Sequence, residues 1–140
     1  QRPRQMARRT MPSTSIVKLS VPAEARFARA VRMTASNLAV CCDMSVDDVE
    51  DVRMAAEEGF VYACATRPTT CDIVFGLAPD GMTADFSLGD EDPDEATDPS
   101  GEPQPIDLVE VLLGAVCDDF SISEDGRTLH LSKRMDVQNA

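Results

Sequence analysis

The sequence predicts an α+β fold: a two-layer sandwich in which a mixed sheet of about five strands carries about three helices on one face. Three observations point there. Short runs alternate apolar and polar residues, one near the start and two more pairs around turn signals. Three longer segments repeat apolar residues at helical spacing. The resulting order is strand, helix, helix, hairpin, long loop, helix, hairpin, with no internal repeat, and 140 residues suit one domain.

The first strand is "SIVKLSV" (15–21), where Ser15, Val17, Leu19 and Val21 oppose Ile16, Lys18 and Ser20, leaving one face apolar. Pro22 presets a backbone angle suited to a first helical turn. Phe27, Val31, Thr34, Ala35 and Leu38 then mark a helix of about five turns. Ser45 is placed to cap a second helix, with Asp48 three residues on and Asp47 beside it, near the helix's positive end. Val49, Val52, Ala56, Phe60 and Ala63 form its inward stripe. Asp51, Ala55, Glu58, Tyr62 and Ala65 lie away from that stripe, and Arg67-Pro68 ends the helix.

"CDIVFGLAPDGMTADFSLG" (71–89) reads as a hairpin turning at Pro79-Asp80-Gly81, with Gly81 expected at positive φ. The acidic, proline-rich stretch 90–105 is expected to be a long loop of functional or mobile character. Ile106, Val109, Leu112, Leu113 and Val116 set a third helix. Phe120, Ile122, Leu129 and Leu131 flank an Asp125-Gly126 turn, a clear hairpin signal.

Composition bounds the function. With 43% apolar residues the chain is not globally disordered, and no apolar run is long enough to span a bilayer. Residues 1–14 are expected to be a disordered basic tail, 15–135 a single domain, and 136–140 a C-terminal tail. The start of the chain lacks the apolar centre of a secretion signal, so the expected localisation is cytoplasmic. The formal charge is −12, and setting aside the four arginines of residues 1–13 leaves −16 on the rest. Such a body repels nucleic acid and anionic membrane and attracts basic protein surfaces, unless its acidity serves only solubility.

The five cysteines are an odd number with an adjacent pair, which fits small buried thiols rather than a disulfide framework. His130 is the lone histidine, and the cysteine spacings lack a zinc pattern, so no metal site is expected. Asp90, Asp92 and Asp94 alternate like calcium-loop ligands, but Glu95 and Gly101 stand where glycine and glutamate are needed, and a solvated loop is the better reading.

From Val21 to Glu58, "VPAEARFARAVRMTASNLAVCCDMSVDDVEDVRMAAEE" resembles the anti-sigma-factor serine kinases of the GHKL (Bergerat-fold) ATPase superfamily. The features that carry it are the Pro-Ala opening, Arg32 in the first helix, and "DDVEDVRMAAEE" leading the second; the order of elements agrees over roughly residues 15–135. The resemblance implies a GHKL/Bergerat-type sandwich, ATP and Mg²⁺ as cofactors, and transfer of phosphate to a serine of an anti-anti-sigma partner. It also implies a homodimer and a sigma factor as binding partner.

Carried onto this sequence, the family's E-x-x-x-N places Glu58 as catalytic base or water-positioner and Tyr62 at the Mg²⁺-holding asparagine. A neutral phenol is a poor Mg²⁺ ligand. The D-x-G-x-G element corresponds to "SLGDEDPD", with Gly89 and Asp90 but without the motif's order or second glycine. "DGRTLHL" matches the family's Gly-x-Thr and puts Thr128 near the nucleotide. No glycine lies between Gly101 and Gly114, where a phosphate-cradling turn would stand. Seven acids between Asp90 and Glu102 would oppose a triphosphate.

The expected function is therefore an anti-sigma-factor-like regulator that binds a sigma factor or its antagonist, its ATP site weakened or lost. An active Mg-ATP-dependent serine kinase and an unrelated acidic protein-binding domain are the alternatives. For Glu58 and Tyr62 themselves two readings stay open: a wet helix face with one aromatic covering a neighbour, or a ligand or partner site.

Overall fold

The computed structural model describes residues 14–135. The expected tails, 1–14 and 136–140, lie outside the described residues except for Thr14. Strand β1 (Ser15–Pro22) leads through a 3₁₀ turn (Ala25–Phe27) to α1 (Ala28–Cys41) and α2 (Val46–Ala65). Then come β2 (Thr70–Ala78), β3 (Gly81–Ser87), β4 (Glu95–Thr97), β5 (Pro103–Pro105), α3 (Ile106–Val116), β6 (Asp119–Ile122) and β7 (Thr128–Arg134). The predicted order holds.

Five strands form one sheet in the order β1-β2-β3-β7-β6, and every ladder is antiparallel. The expectation of a mixed sheet is corrected by the connections. Two successive helices between β1 and β2 return the chain reversed, and the β6–β7 hairpin inserts β7 between β3 and β6. The β3–α3–β6 crossover thus leaves no parallel neighbours. Pro22 ends β1 instead of opening a helix, and α1 begins after the 3₁₀ turn, shorter than the five turns expected.

Alternation sets the core. Val21, Cys71, Ile73, Phe75, Met82, Phe86, Leu129 and Leu131 are buried on the sheet face under the helices. Ala28, Ala35 and Ala39 are fully buried, and their small size lets α1 lie close against α2. The opposite face is polar: there the Asp85 carboxylate stands 2.5 Å from His130 Nδ1, and Ser20 donates to Asp72 at 2.7 Å. His130 thus faces away from the core, between the buried Leu129 and Leu131.

The cap of α2 forms as expected, with Ser45 Oγ accepting from the Asp48 amide at 3.1 Å, a contact worth about 1 kcal/mol. Asp48 itself is buried, and Lys133 reaches it from β7 at 3.6 Å and Asp51 at 3.0 Å. This ties the start of α2 to the sheet. Arg32 pairs with Glu57 at 2.7 Å and Arg53 with Glu50. Arg67 adopts φ 60°, which stops α2 where the following proline requires.

Two local expectations change. Gly81 is not at positive φ; it is the first residue of β3, and a Cβ there would lie 2.4 Å from the Lys133 carbonyl oxygen. Gly126 does take the left-handed conformation of its turn, at φ 72°. All five cysteines are free, but only Cys71 is buried and Cys41 is exposed. Burial pushes the Cys64 and Cys71 thiols up to about 12 and Cys117 to about 11.

Candidate functional site

Glu58 and Tyr62 are four apart on α2 and share a face. That face is not wet: Glu58 is 9% exposed and Tyr62 6%. From Gly59 to Ala63 the helix is buried on every side. On the sheet side Gly59 permits the approach, since a Cβ would stand 2.8 Å from the Phe86 ring and 3.0 Å from Leu131. Beside it α3 packs Val109 and Leu113, both fully buried.

The acidic stretch supplies the rest of the cover. Within residues 90–105, expected to be a loop, β4 and β5 pair as a small antiparallel hairpin against α2. Ala96 is its plug, 1% exposed between Glu95 and Thr97. Pro103 and Pro105 hold the flanking backbone extended, and Gln104 between them donates from Nε2 to Glu58 Oε1 at 3.3 Å. Asp98 closes the connecting turn by accepting from the Ser100 hydroxyl at 2.6 Å and the Glu102 amide at 3.0 Å.

The electrostatics follow from burial. Desolvation raises the Glu58 pKa, repulsion from Glu57 and Asp98 adds to it, and the Gln104 hydrogen bond opposes it. Desolvation likewise raises the Tyr62 phenol, helped by Glu110 and Asp92, so Tyr62 stays neutral at pH 7. A neutral phenol offers a cation little. Among the described residues no group of three or more His, Cys, Asp or Glu is arranged to hold a metal ion.

Beside Tyr62 a cleft of about 350 Å³ opens between residues 88–93 and the turn of the last hairpin. Gly89 and Asp90 line it with Tyr62, so three of the five residues singled out in the sequence meet there. Glu58 lies under the β4–β5 hairpin, away from its lining. Thr128, half-buried at the start of β7, pairs with Ser87, and its amide donates to Ser123 Oγ at 3.1 Å.

Gly89 is committed to the fold. A Cβ would fall 2.2 Å from the Thr66 carbonyl oxygen, and its amide donates to Thr66 Oγ1 at 2.7 Å. Thr66 in turn donates to the Ala63 carbonyl at 2.6 Å and accepts from the Glu91 amide at 3.2 Å. The amides of Gly89 and Glu91 are therefore spent on the end of α2 and do not cradle an anion. Asp90 pairs with Arg127 at 2.9 Å across the cleft, whose other charged linings, Glu91, Asp92 and Asp125, are all acids.

Gln104, Ala96, Thr66 and Arg127 build this region and were not singled out in the sequence. The prolines around Gln104 are the only signal that its side chain is held in place.

No protein-family model and no curated protein matches the sequence. Among solved structures, that of the RsbU and RsbW domains of Rv1364c from Mycobacterium tuberculosis contains a region of similar fold, at a TM-score of 0.61 and 17% identity. The match covers 86% of this chain and 32% of that one, so this chain corresponds to about a third of its length. At that identity the likeness is one of fold: an α+β unit with a five-stranded antiparallel sheet and three helices.

Proposed function

We propose that this chain is an anti-sigma-factor-like binding module, which captures a sigma factor or its antagonist and has lost the nucleotide chemistry of its fold. One observation carries the reading: the carboxylate at the catalytic position, Glu58, is sealed under the β4–β5 hairpin by Gln104. A base that serves phosphoryl transfer must reach the attacking hydroxyl or water. Three further features support it. Tyr62 replaces the metal-holding amide with a buried phenol. The amides of Gly89 and Glu91 are already bonded to Thr66. The cleft beside them is lined by Asp90, Glu91, Asp92 and Asp125, and like charges about 4 Å apart repel by ~1 kcal/mol in water and more near protein.

ATP and Mg²⁺ are accordingly bound weakly or not at all in this reading. The acidic body masks a basic protein surface and touches neither nucleic acid nor membrane directly. The module works in the cytoplasm, and the homodimer implied by the resemblance belongs to the same proposal. Among the described residues no helix is long and apolar enough to cross a membrane.

The test mixes the purified chain with the sigma factors and anti-anti-sigma proteins of its source organism, with and without Mg-ATP. The expected result is a stable complex that needs no nucleotide, and no phosphoserine on any partner. Phosphate transfer to a partner serine would make the active kinase the correct reading. Failure of every such pair to associate would leave an acidic domain outside sigma-factor control.

A further inference from the structure

Helix α3, "IDLVEVLLGAV", is apolar around almost its whole circumference. Val109 and Leu113 are fully buried toward α2, while on the other side Val111 is 67% exposed and Leu108 43%. Leu108, Val111 and Ala115 follow one another at spacings of three and four, one solvent-facing stripe, with Leu112 half-buried on its flank. A helix apolar on all sides is normally covered on all sides. The other exposed apolar residues, Ile16 on β1, Met33 and Val40 seven apart on α1, Val46 and Met54 on α2 and Ile122 on β6, are spread over four elements.

The charges on the helix itself have one sign. Asp107 and Glu110 flank the stripe and Asp119 follows it, while Asp118 is paired with Arg134 at 3.8 Å. Between Arg67 and Arg127 the chain has sixteen acids and no lysine or arginine. Arg127 is engaged with Asp90.

We propose that the exposed stripe of α3 docks an amphipathic helix of a partner protein, apolar along its centre and lysine- or arginine-rich along its edges. Charge selects this occupant. A second copy meeting the stripe symmetrically would set Asp107 and Glu110 against the same acids, and an acidic segment would be repelled likewise. Leucine-like anchors on the incoming helix meet Leu108, Val111 and Ala115, and basic flanks meet the acids: the helix-on-groove mode of recognition. This surface goes beyond the sigma-factor reading and holds whatever the partner's identity.

The probe is a synthetic peptide of roughly 18 residues, about five helical turns, with leucine on one face and lysine on the other. Its binding is followed by fluorescence anisotropy on wild type, Val111→Glu, Glu110→Lys and Val46→Glu. Val111 and Val46 are both exposed, so thermal melts serve only to verify folding. Val111→Glu adds a negative charge, so general attraction of a cation would strengthen binding, whereas docking on the stripe weakens it about tenfold. Glu110→Lys is expected to weaken it too, and Val46→Glu on the distant start of α2 to leave it unchanged or slightly tighter. Equal or tighter binding to Val111→Glu, or no binding to wild type, would overturn the proposal. So would sedimentation showing a dimer that Val111→Glu dissociates, which would make a second copy the occupant.

Discussion

Replacing Glu58 by glutamine is expected to stabilise the protein at neutral pH, although it alters a buried hydrogen-bonded residue. Glutamine has the same shape, and its carbonyl oxygen can accept from Gln104 as Oε1 does now at 3.3 Å. The change removes the cost of keeping a charge at a 9% exposed position and the repulsion from Glu57 and Asp98. It also exchanges a charge-assisted hydrogen bond for a neutral one, a loss of up to ~1 kcal/mol. Because the net pKa direction is upward, the first pair of terms outweighs the second.

The sign sets the pH window. A raised folded pKa means that Glu58's contribution is fully present below its unfolded pKa, about 4.3, and is lost as pH rises through the folded value. At pH 3 the protonated glutamate and glutamine should be nearly equivalent. By pH 7 the variant should be the more stable of the two, with the higher Tm. Urea denaturation from pH 3 to 8 measures the difference. A glutamine variant less stable at pH 7 by more than ~1 kcal/mol would refute the reasoning, since the ionised carboxylate would then be making a favourable contact.

Other perturbations test the packing around the site. Lys133→Met removes the ammonium that ties Asp48 and Asp51 to β7 and should cost about 2 kcal/mol in denaturant unfolding, recovered in part by adding Asp48→Asn. Gly59→Ala gains helix propensity but drives a methyl into Phe86 and Leu131, for a net loss of about 1 kcal/mol in the same assay. Gly89→Ala places a Cβ against Thr66, Arg67 and Pro68 backbone. It should free residues 88–91 from α2, read as faster amide exchange at Gly89 and Glu91. At pH 8 iodoacetamide should label exposed Cys41 well before Cys71, whose thiol is buried and pushed up to about 12.

Much of the fold was legible because period and punctuation agreed. Val17, Leu19 and Val21 alternate, Ser45 caps, Arg67-Pro68 stops, and Asp125-Gly126 turns, each through local chemistry. What escaped depends on contacts distant in sequence. Gly81 sits in a familiar turn context, yet the reason for it is the Lys133 carbonyl, some fifty residues away. Lys133 alternates in step with Leu129 and Leu131, but its contact with Asp48 and Asp51 depends on β7 lying under the start of α2. The sheet's lack of parallel neighbours needs the position of β7, which no hairpin signal supplies.

The site was legible as a set of positions and not as an environment. Glu58 and Tyr62 were found by spacing on α2, but whether their face was wet depended on residues 90–105. An acidic run with three-residue strands carries no periodicity strong enough to read. Ala96 is a single small residue among acids, and only the packed structure makes it the plug. Gln104 had no motif around it beyond two prolines.

The central claim is that the fold has kept its helices and lost its nucleotide. Calorimetric titration of the intact protein with ATP and ADP, with and without Mg²⁺, tests it directly, beside the same titration of Tyr62→Asn. The account predicts no heat of binding from wild type at millimolar nucleotide, where ligands of Kd below ~1 mM would show. Mg²⁺-dependent binding by wild type would contradict it.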